Sequence, residues 1–228
     1  MATFRYVIAD VFTDTPLTGN QLAVFTDARE IPEDRLQPLP LTVGEDTRMD
    51  VPPIRSARLD LVSLSPAAIA AVFAGRLEDA EGQLGFRLPQ GFPDDNLEGF
   101  LRLRLGQMER NPDSQKWLVR ALVLREDGTM VGHAGFHGPP GTTGLDDPGK
   151  AEIGYTVFEP YRGRGYATEA AVALMDWAAG EGIHRFVFSI GPWNEPSLAI
   201  ARKLGFVQTG EQWDDEDGLE HVYELDRR

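Results

Sequence analysis

The chain has 228 residues, 42% of them hydrophobic and 25% charged, with 36 acidic against 22 basic side chains for a net charge of −14. That composition suits one sizeable globular core; the acidity argues against nucleic acid or an anionic membrane as the main partner. No apolar run approaches the roughly 20 residues that span a bilayer, no leader-like pattern opens the chain, and the absence of cysteine excludes disulfides, thiolate metal sites and a cysteine nucleophile, which fits a cytoplasmic setting.

In chain order, Phe4–Ala9 reads as a strand, Thr13–Asn20 as a turn rich in Asp, Pro, Gly and Asn, and Gln21–Phe25 as a second strand. Ile31–Asp34 has the makings of a short helix start. Residues 39–56, with Pro40, Gly44, Pro52 and Pro53 among charges, read as a linker. Residues 1–56 carry 9 acids and 5 bases, and residues 57–228 carry 27 and 17. From Ala57 onward the pattern alternates. Arg58–Val62 is a short strand, Ser65-Pro66 caps and opens an alanine-rich helix, residues 82–95 are rich in Gly and Pro, and Leu97–Met108 is helical. Trp117–Leu124 and Met130–Phe136 flank Asp127-Gly128, a hairpin signal. Ala151–Val157 is a strand; residues 167–179 form a helix with one apolar stripe, stopped by Gly180 and Gly182. A strand at Arg185–Ile190, a helix at Ser197–Leu204 and a last hairpin of Phe206–Trp213 with Leu219–Leu225 complete the chain.

The richest signal lies between the strand at 151–157 and the helix at 167–179: Tyr161-Arg162-Gly163-Arg164-Gly165-Tyr166-Ala167-Thr168. A glycine turn opening a helix aims successive backbone N–H groups at one spot, where the helix dipole also favours an anion. Arg162 and Arg164 add charge. The Gly-Lys-Ser/Thr of a nucleotide-triphosphate loop is missing, and so is the third glycine of the dinucleotide fingerprint. What remains, Arg162-x-x-Gly165-x-Ala167, resembles the acetyl-CoA loop of the GNAT superfamily of N-acetyltransferases. The flanking order extends the likeness. Glu152-Ile153-Gly154-Tyr155-Thr156-Val157 precedes the loop, and Asn194-Glu195-Pro196-Ser197 and Lys203-Leu204-Gly205-Phe206 follow it. Over residues 57–226 the chain resembles the branch that includes the ribosomal-protein-alanine acetyltransferases.

The resemblance implies an α/β (α+β) fold with a mixed central sheet flanked by helices over residues 57–228, and acetyl-CoA as cosubstrate. It places the backbone of Tyr155, Thr156 and Val157 along pantetheine, Gly163, Gly165, Tyr166, Ala167 and Thr168 with Arg162 and Arg164 around pyrophosphate, and Asn194 against the cofactor. Asn194 also suits a plain helix cap. The chemistry is attack of a neutral amine on a thioester, which needs a base and an acid. The tyrosine that serves many relatives as acid is replaced by Ala201, leaving Ser197; the glutamate some relatives carry on the following strand is replaced by Ser189, leaving Glu152 as base through water, or simply as an ion-pair partner. The implied activity is direct transfer to a primary amine, either a protein or peptide N-terminus or a small cationic amine. The alternative is a non-catalytic acyl-CoA-binding or scaffolding module.

Other features carry less. His133 and His137 lie on one strand, about 13 Å apart, too far for one ion, so no metal is expected; they read as strand or acceptor-pocket residues. Asp214–Asp217 is an acidic run that either faces solvent or draws in a cationic amine. Residues 1–38 resemble the start of the phenazine-biosynthesis isomerase-like family through Tyr6–Thr13 and Pro16–Phe25, but the likeness stops near Leu39. The stretch holding that family's glutamate has no counterpart in Pro40–Arg48, so isomerase activity is not expected. A lone hairpin is marginal in water, so it is expected to dock on the transferase or on a second subunit, making a homodimer one expected state.

Overall fold

A computed structural model of the protein describes residues 51–142, 147, 149–214 and 218–227, together with the backbone of 6–11 and 20–25. The side chains of residues 95 and 96 lie outside that description, as do the helix start expected at Ile31–Asp34 and residues 215–217 of the acidic run. The chain divides into two compact units, Met1–Met49 and Asp50–Arg228. In the first, β1 (Tyr6–Val11) pairs antiparallel with β2 (Asn20–Phe25), Tyr6 opposite Phe25 and Val11 opposite Asn20.

The second unit is built on β3 (Ile54–Arg55), β4 (Leu59–Ser63), β5 (Arg120–Leu124), β6 (Met130–Phe136), β7 (Lys150–Val157), β8 (Arg185–Ile190), β9 (Val207–Asp214) and β10 (Gly218–Asp226), in the order β3-β4-β5-β6-β7-β8-β10-β9. All neighbours are antiparallel except β7 and β8, which are parallel. Alternate residues feed two cores: Leu122 and Leu124 of β5 enter one, Ala121 and Val123 the other. The first core packs under α4 (Tyr166–Gly180) and α5 (Glu195–Leu204) through Ala170, Ala171, Leu174, Met175, Leu198 and Ala201. The second packs under α1 (Pro66–Phe73) and α3 (Asp95–Arg110) through Ile69, Leu97, Leu101 and Met108. This is a mixed sheet with helices on both faces, as the sequence implies.

Three local features depart from the sequence reading. The stretch read as linker ends inside the sheet, because Ile54 and Arg55 pair with Leu61 and Asp60. A helix unread in the sequence, α2 (Leu77–Leu84), precedes the Gly/Pro-rich loop; its single buried residue is Ala80, so it carries almost no apolar stripe. The strand expected from Trp117 starts only at Arg120, since Pro112–Lys116 forms a 3-10 turn that delivers Trp117 to the core against Phe136 and Trp177. The buried Arg120 guanidinium ties this corner together. It donates to the carbonyls of Pro52 (3.1 Å), Leu61 (3.2 Å) and Lys116 (2.9 Å). Desolvation lowers its pKa to about 10, so it stays charged at neutral pH.

Candidate active site

β7 and β8 pair over only three positions, Lys150–Glu152 with Arg185–Val187, and then separate. On its other edge β7 stays paired with β6 out to Val157. The Glu152 carbonyl and the Phe158 N–H both bond to the β6 side, at His137 and Val131. Strand alternation therefore turns the N–H and C=O of Ile153, Tyr155 and Val157 toward the open edge. The Val157 carbonyl accepts from Arg162 Nε at 3.0 Å. Thr156 differs from the expectation, since its peptide groups face β6 and only its exposed side chain reaches a cavity. An open strand edge of this kind can be completed by any extended chain that carries amide groups.

The open edge leads to the glycine turn. Gly165 is the N-cap of α4 at φ 83°, a left-handed conformation that glycine alone adopts without strain. α1, α3 and α5 are each capped by a side chain, from Ser65, Asp94 and Asn194. α4 has no side-chain cap, so its first-turn N–H groups, from Tyr166 through Thr168, are left for an external anion. The exposed Arg162 and Arg164 flank the turn, Arg164 Nη2 donating to the Pro160 carbonyl at 3.2 Å. Arg58 braces it from behind. Its guanidinium donates to the Arg164 carbonyl at 3.1 Å and to Glu169 at 2.7 Å, and lies 4.6 Å from the Tyr166 ring. These two features, an amide-presenting edge and an uncapped helix N-terminus, fit the pantetheine and pyrophosphate of acetyl-CoA.

Two cavities meet beside that edge. The smaller, about 140 Å³, lies in the gap between β7 and β8 and is lined by Tyr155, Phe188, Ser189, Asn194, Ser197 and Glu220 among others. The larger, about 1320 Å³, runs under the 85–92 loop and α3, past Phe100, Arg104, His133 and Thr156, to Arg162. Asn194 is placed as a helix cap, its Oδ1 accepting from the Ser197 N–H at 3.3 Å, while also lining the smaller cavity. Ser197 faces the same cavity. Burial pushes the Tyr155 phenol up, with the nearby Ser197 hydroxyl opposing.

Glu152 is only 5% exposed and lines neither cavity. Burial alone would raise its carboxyl. Hydrogen bonds from His137 and Ser189, with the charges of His137 and Arg104, outweigh that and hold it below the ordinary range. Ser189 Oγ donates to Glu152 Oε1 at 2.6 Å and accepts from Gln212 Nε2 at 2.9 Å; Gln212 Nε2 also donates to Glu220 Oε2 at 3.0 Å. Glu152, the base candidate of the sequence, and Ser189, which stands where some relatives carry a glutamate, are thus one hydrogen-bonded unit spanning β7 and β8. Arg104 is not singled out by the sequence, where His137 reads as a strand or acceptor-pocket residue. Arg104 Nη1 donates to the His137 carbonyl (2.7 Å) and Gln107 Oε1 (2.9 Å), and burial lowers its pKa to about 10, the Glu152 charge opposing. His133 stacks on Phe100 at 5.3 Å; burial depresses its imidazole to about 4, Asp94 pulling up and Arg104 down, so it is neutral at pH 7.

Comparison with known proteins agrees with this architecture. A family model described as an acetyltransferase (GNAT) domain matches residues 58–207, and the chain belongs to that family. The uncharacterized N-acetyltransferase YnaD of Bacillus subtilis is 29% identical over 126 residues, 54% of this chain and 65% of that protein. The alpha/beta-tubulin-N-acetyltransferase 9 of Mus musculus is 35% identical over 98 residues, 42% of this chain and 39% of that protein. The match thus spans less than two thirds of either relative. A solved GnaT-family acetyltransferase from Bordetella pertussis superposes with a TM-score of 0.54 at 28% identity, covering 75% of this chain and 98% of that one.

Proposed function

We propose that the protein transfers the acetyl group of acetyl-CoA directly to the primary amine of a protein or peptide N-terminus. The observation that carries the transfer reading is the divergence of β7 from β8 after Glu152, which leaves an amide-bearing edge running from the gap to the uncapped start of α4. Acetyl-CoA, bound there, supplies the activated acyl carbon. The chain's backbone holds its amides along Ile153 and Tyr155, and the α4 N-terminus with Arg162 and Arg164 holds its phosphates. Tyr155 and Ser197 flank the gap: a protonated phenol and a hydroxyl beside the departing sulfur. No covalent acyl-enzyme is needed, and the chain has no cysteine to form one.

The acceptor reading rests on the larger cavity. At about 1320 Å³ it runs from beneath the 85–92 loop to the cofactor edge at Tyr155 and Arg162, and its part under the loop and α3 suits a chain end entering with its first side chains. One similar protein has a protein, tubulin, in its name, and the sequence likeness to the ribosomal-protein-alanine branch points the same way.

The test is thiol release from acetyl-CoA with a panel of N-terminal peptides and small amines. Release dependent on the peptide supports the reading. Release with small cationic amines only moves the acceptor class, and acetyl-CoA binding without release by any amine indicates a binding module.

A further inference from the structure

We propose that His137 takes the proton from the attacking amine, with Glu152 behind it as its positioning residue; this rests on the acetyltransfer reading above. Amine acylation needs a proton acceptor where the two substrates meet. That place is the junction of the two cavities, and the residues lining both are His137, Gly154 and Tyr155. Gly154 has no side chain, and the Tyr155 phenol, raised by burial, keeps its proton at neutral pH. His137 is the proton acceptor that remains. Its side chain is 44% exposed, against 7% for Glu152.

The imidazole is built in from several sides. Nδ1 lies 3.4 Å from Glu152 Oε2, which puts the proton on Nδ1 and leaves Nε2, on the Gly154 side, as the acceptor. The His137 N–H donates to the Glu152 carbonyl at 2.9 Å, and Arg104 holds the His137 carbonyl at 2.7 Å. The ring sits against Gly154, where a Cβ would stand 2.8 Å from Nε2. The carboxylate behind it is fixed by Ser189. The charged groups around the imidazole are Glu152 from β7 at 3.4 Å, Arg104 from α3, which holds its carbonyl, and Glu220 from β10, which lines the same small cavity, with the neutral His133 further along β6. A carboxylate held ionised is a poor base but a good counter-charge for an imidazolium.

In the step itself, the amine nitrogen bonds to the acyl carbon as the carbon–sulfur bond breaks. One proton passes from nitrogen to His137 Nε2, and one reaches the departing sulfur from the Tyr155–Ser197 side; His137 then gives its proton to solvent and that side regains one from it, so the amide and the thiol are the only net products.

The test compares wild type, His137→Gln and Glu152→Gln by thiol release across pH. It uses saturating acetyl-CoA and a weakly basic acceptor that is neutral throughout, with acetyl-CoA affinity measured by calorimetry. Expected is an acidic limb in the wild-type kcat profile. His137→Gln abolishes the limb and lowers kcat by about 10²- to 10⁴-fold with acetyl-CoA affinity unchanged; Glu152→Gln lowers kcat but keeps the limb. A limb kept in His137→Gln and lost in Glu152→Gln assigns the base to Glu152 and overturns the proposal. The wild-type ¹⁵N spectrum needs no variant: Nδ1 protonated and Nε2 bare is expected for neutral His137, and the reverse tautomer overturns the arrangement. Acetyl-CoA binding with no amine-dependent release by wild type refutes the acetyltransfer reading itself, an outcome distinct from an active enzyme whose profile ignores His137.

Discussion

Gly154→Ala isolates the His137 geometry without touching a titratable group. The added methyl would stand 2.8 Å from His137 Nε2 and 3.2 Å from Cδ2, where ordinary contact begins at 3.4 Å, so the ring must retreat by about 0.6 Å. The ring is half-exposed and can yield, which keeps the stability cost near the low end of overpacking, about 1 kcal/mol, or a fall in Tm of about 2–4 °C for a unit of this size. Catalysis tolerates less. Displacing a proton-transfer group by a substantial fraction of an ångström costs up to ~10²-fold, so kcat is expected to drop about 10- to 100-fold, equivalent to roughly 1.4–2.7 kcal/mol of barrier. Acetyl-CoA affinity should hold, because the peptide groups of Gly154 face β6 and not the open edge. The assay is steady-state thiol release beside calorimetric binding and a thermal melt. A folded variant with unchanged kcat would refute the reasoning, as would a kcat loss matched by an equal loss of acetyl-CoA affinity.

Gly165→Ala places a side chain at φ 83°, costing about 1–2 kcal/mol in the turn that opens α4; acetyl-CoA Kd is expected to rise about tenfold with kcat at saturation retained, read by calorimetry and kinetics. Arg58→Ala removes the guanidinium contacts to Glu169 and to the Arg164 carbonyl. Because Arg58 is half-exposed, the stability loss should stay within about 1 kcal/mol, while KM for acetyl-CoA rises several-fold as the turn loosens; unchanged KM would show that the brace is idle. Glu152 carries a carboxyl lowered in the folded state, so its contribution to stability is present above the unfolded carboxyl pKa and is lost as pH falls through the folded value. Urea melts between pH 3 and 6 should show this acid weakening in wild type and less of it in Glu152→Gln; identical slopes would contradict the shift.

The order of strands and helices was legible because each rests on local signals. The caps at Ser65 and Asn194, the Asp127-Gly128 hairpin and the single stripe of α4 act within a few residues of themselves. The turn from Arg162 to Thr168 was legible for the same reason, since its glycines and arginines are consecutive. α2 left no trace because it buries one residue, and β3 hid among prolines because a two-residue edge strand is specified by its partner, β4.

The proposed catalytic arrangement belongs to tertiary structure. Glu152, Ser189 and Gln212 come from three strands, and their hydrogen bonds exist only once the sheet order sets β7 beside β8 and brings the β9–β10 hairpin up to β8, while His137 reaches Glu152 from the end of the neighbouring β6. Periodicity showed which face Glu152 occupies. Its burial, and the half-exposed imidazole beside it between two cavities, go with where β7 and β8 part, a matter of strand pairing across the sheet that neither strand's own residues spell out.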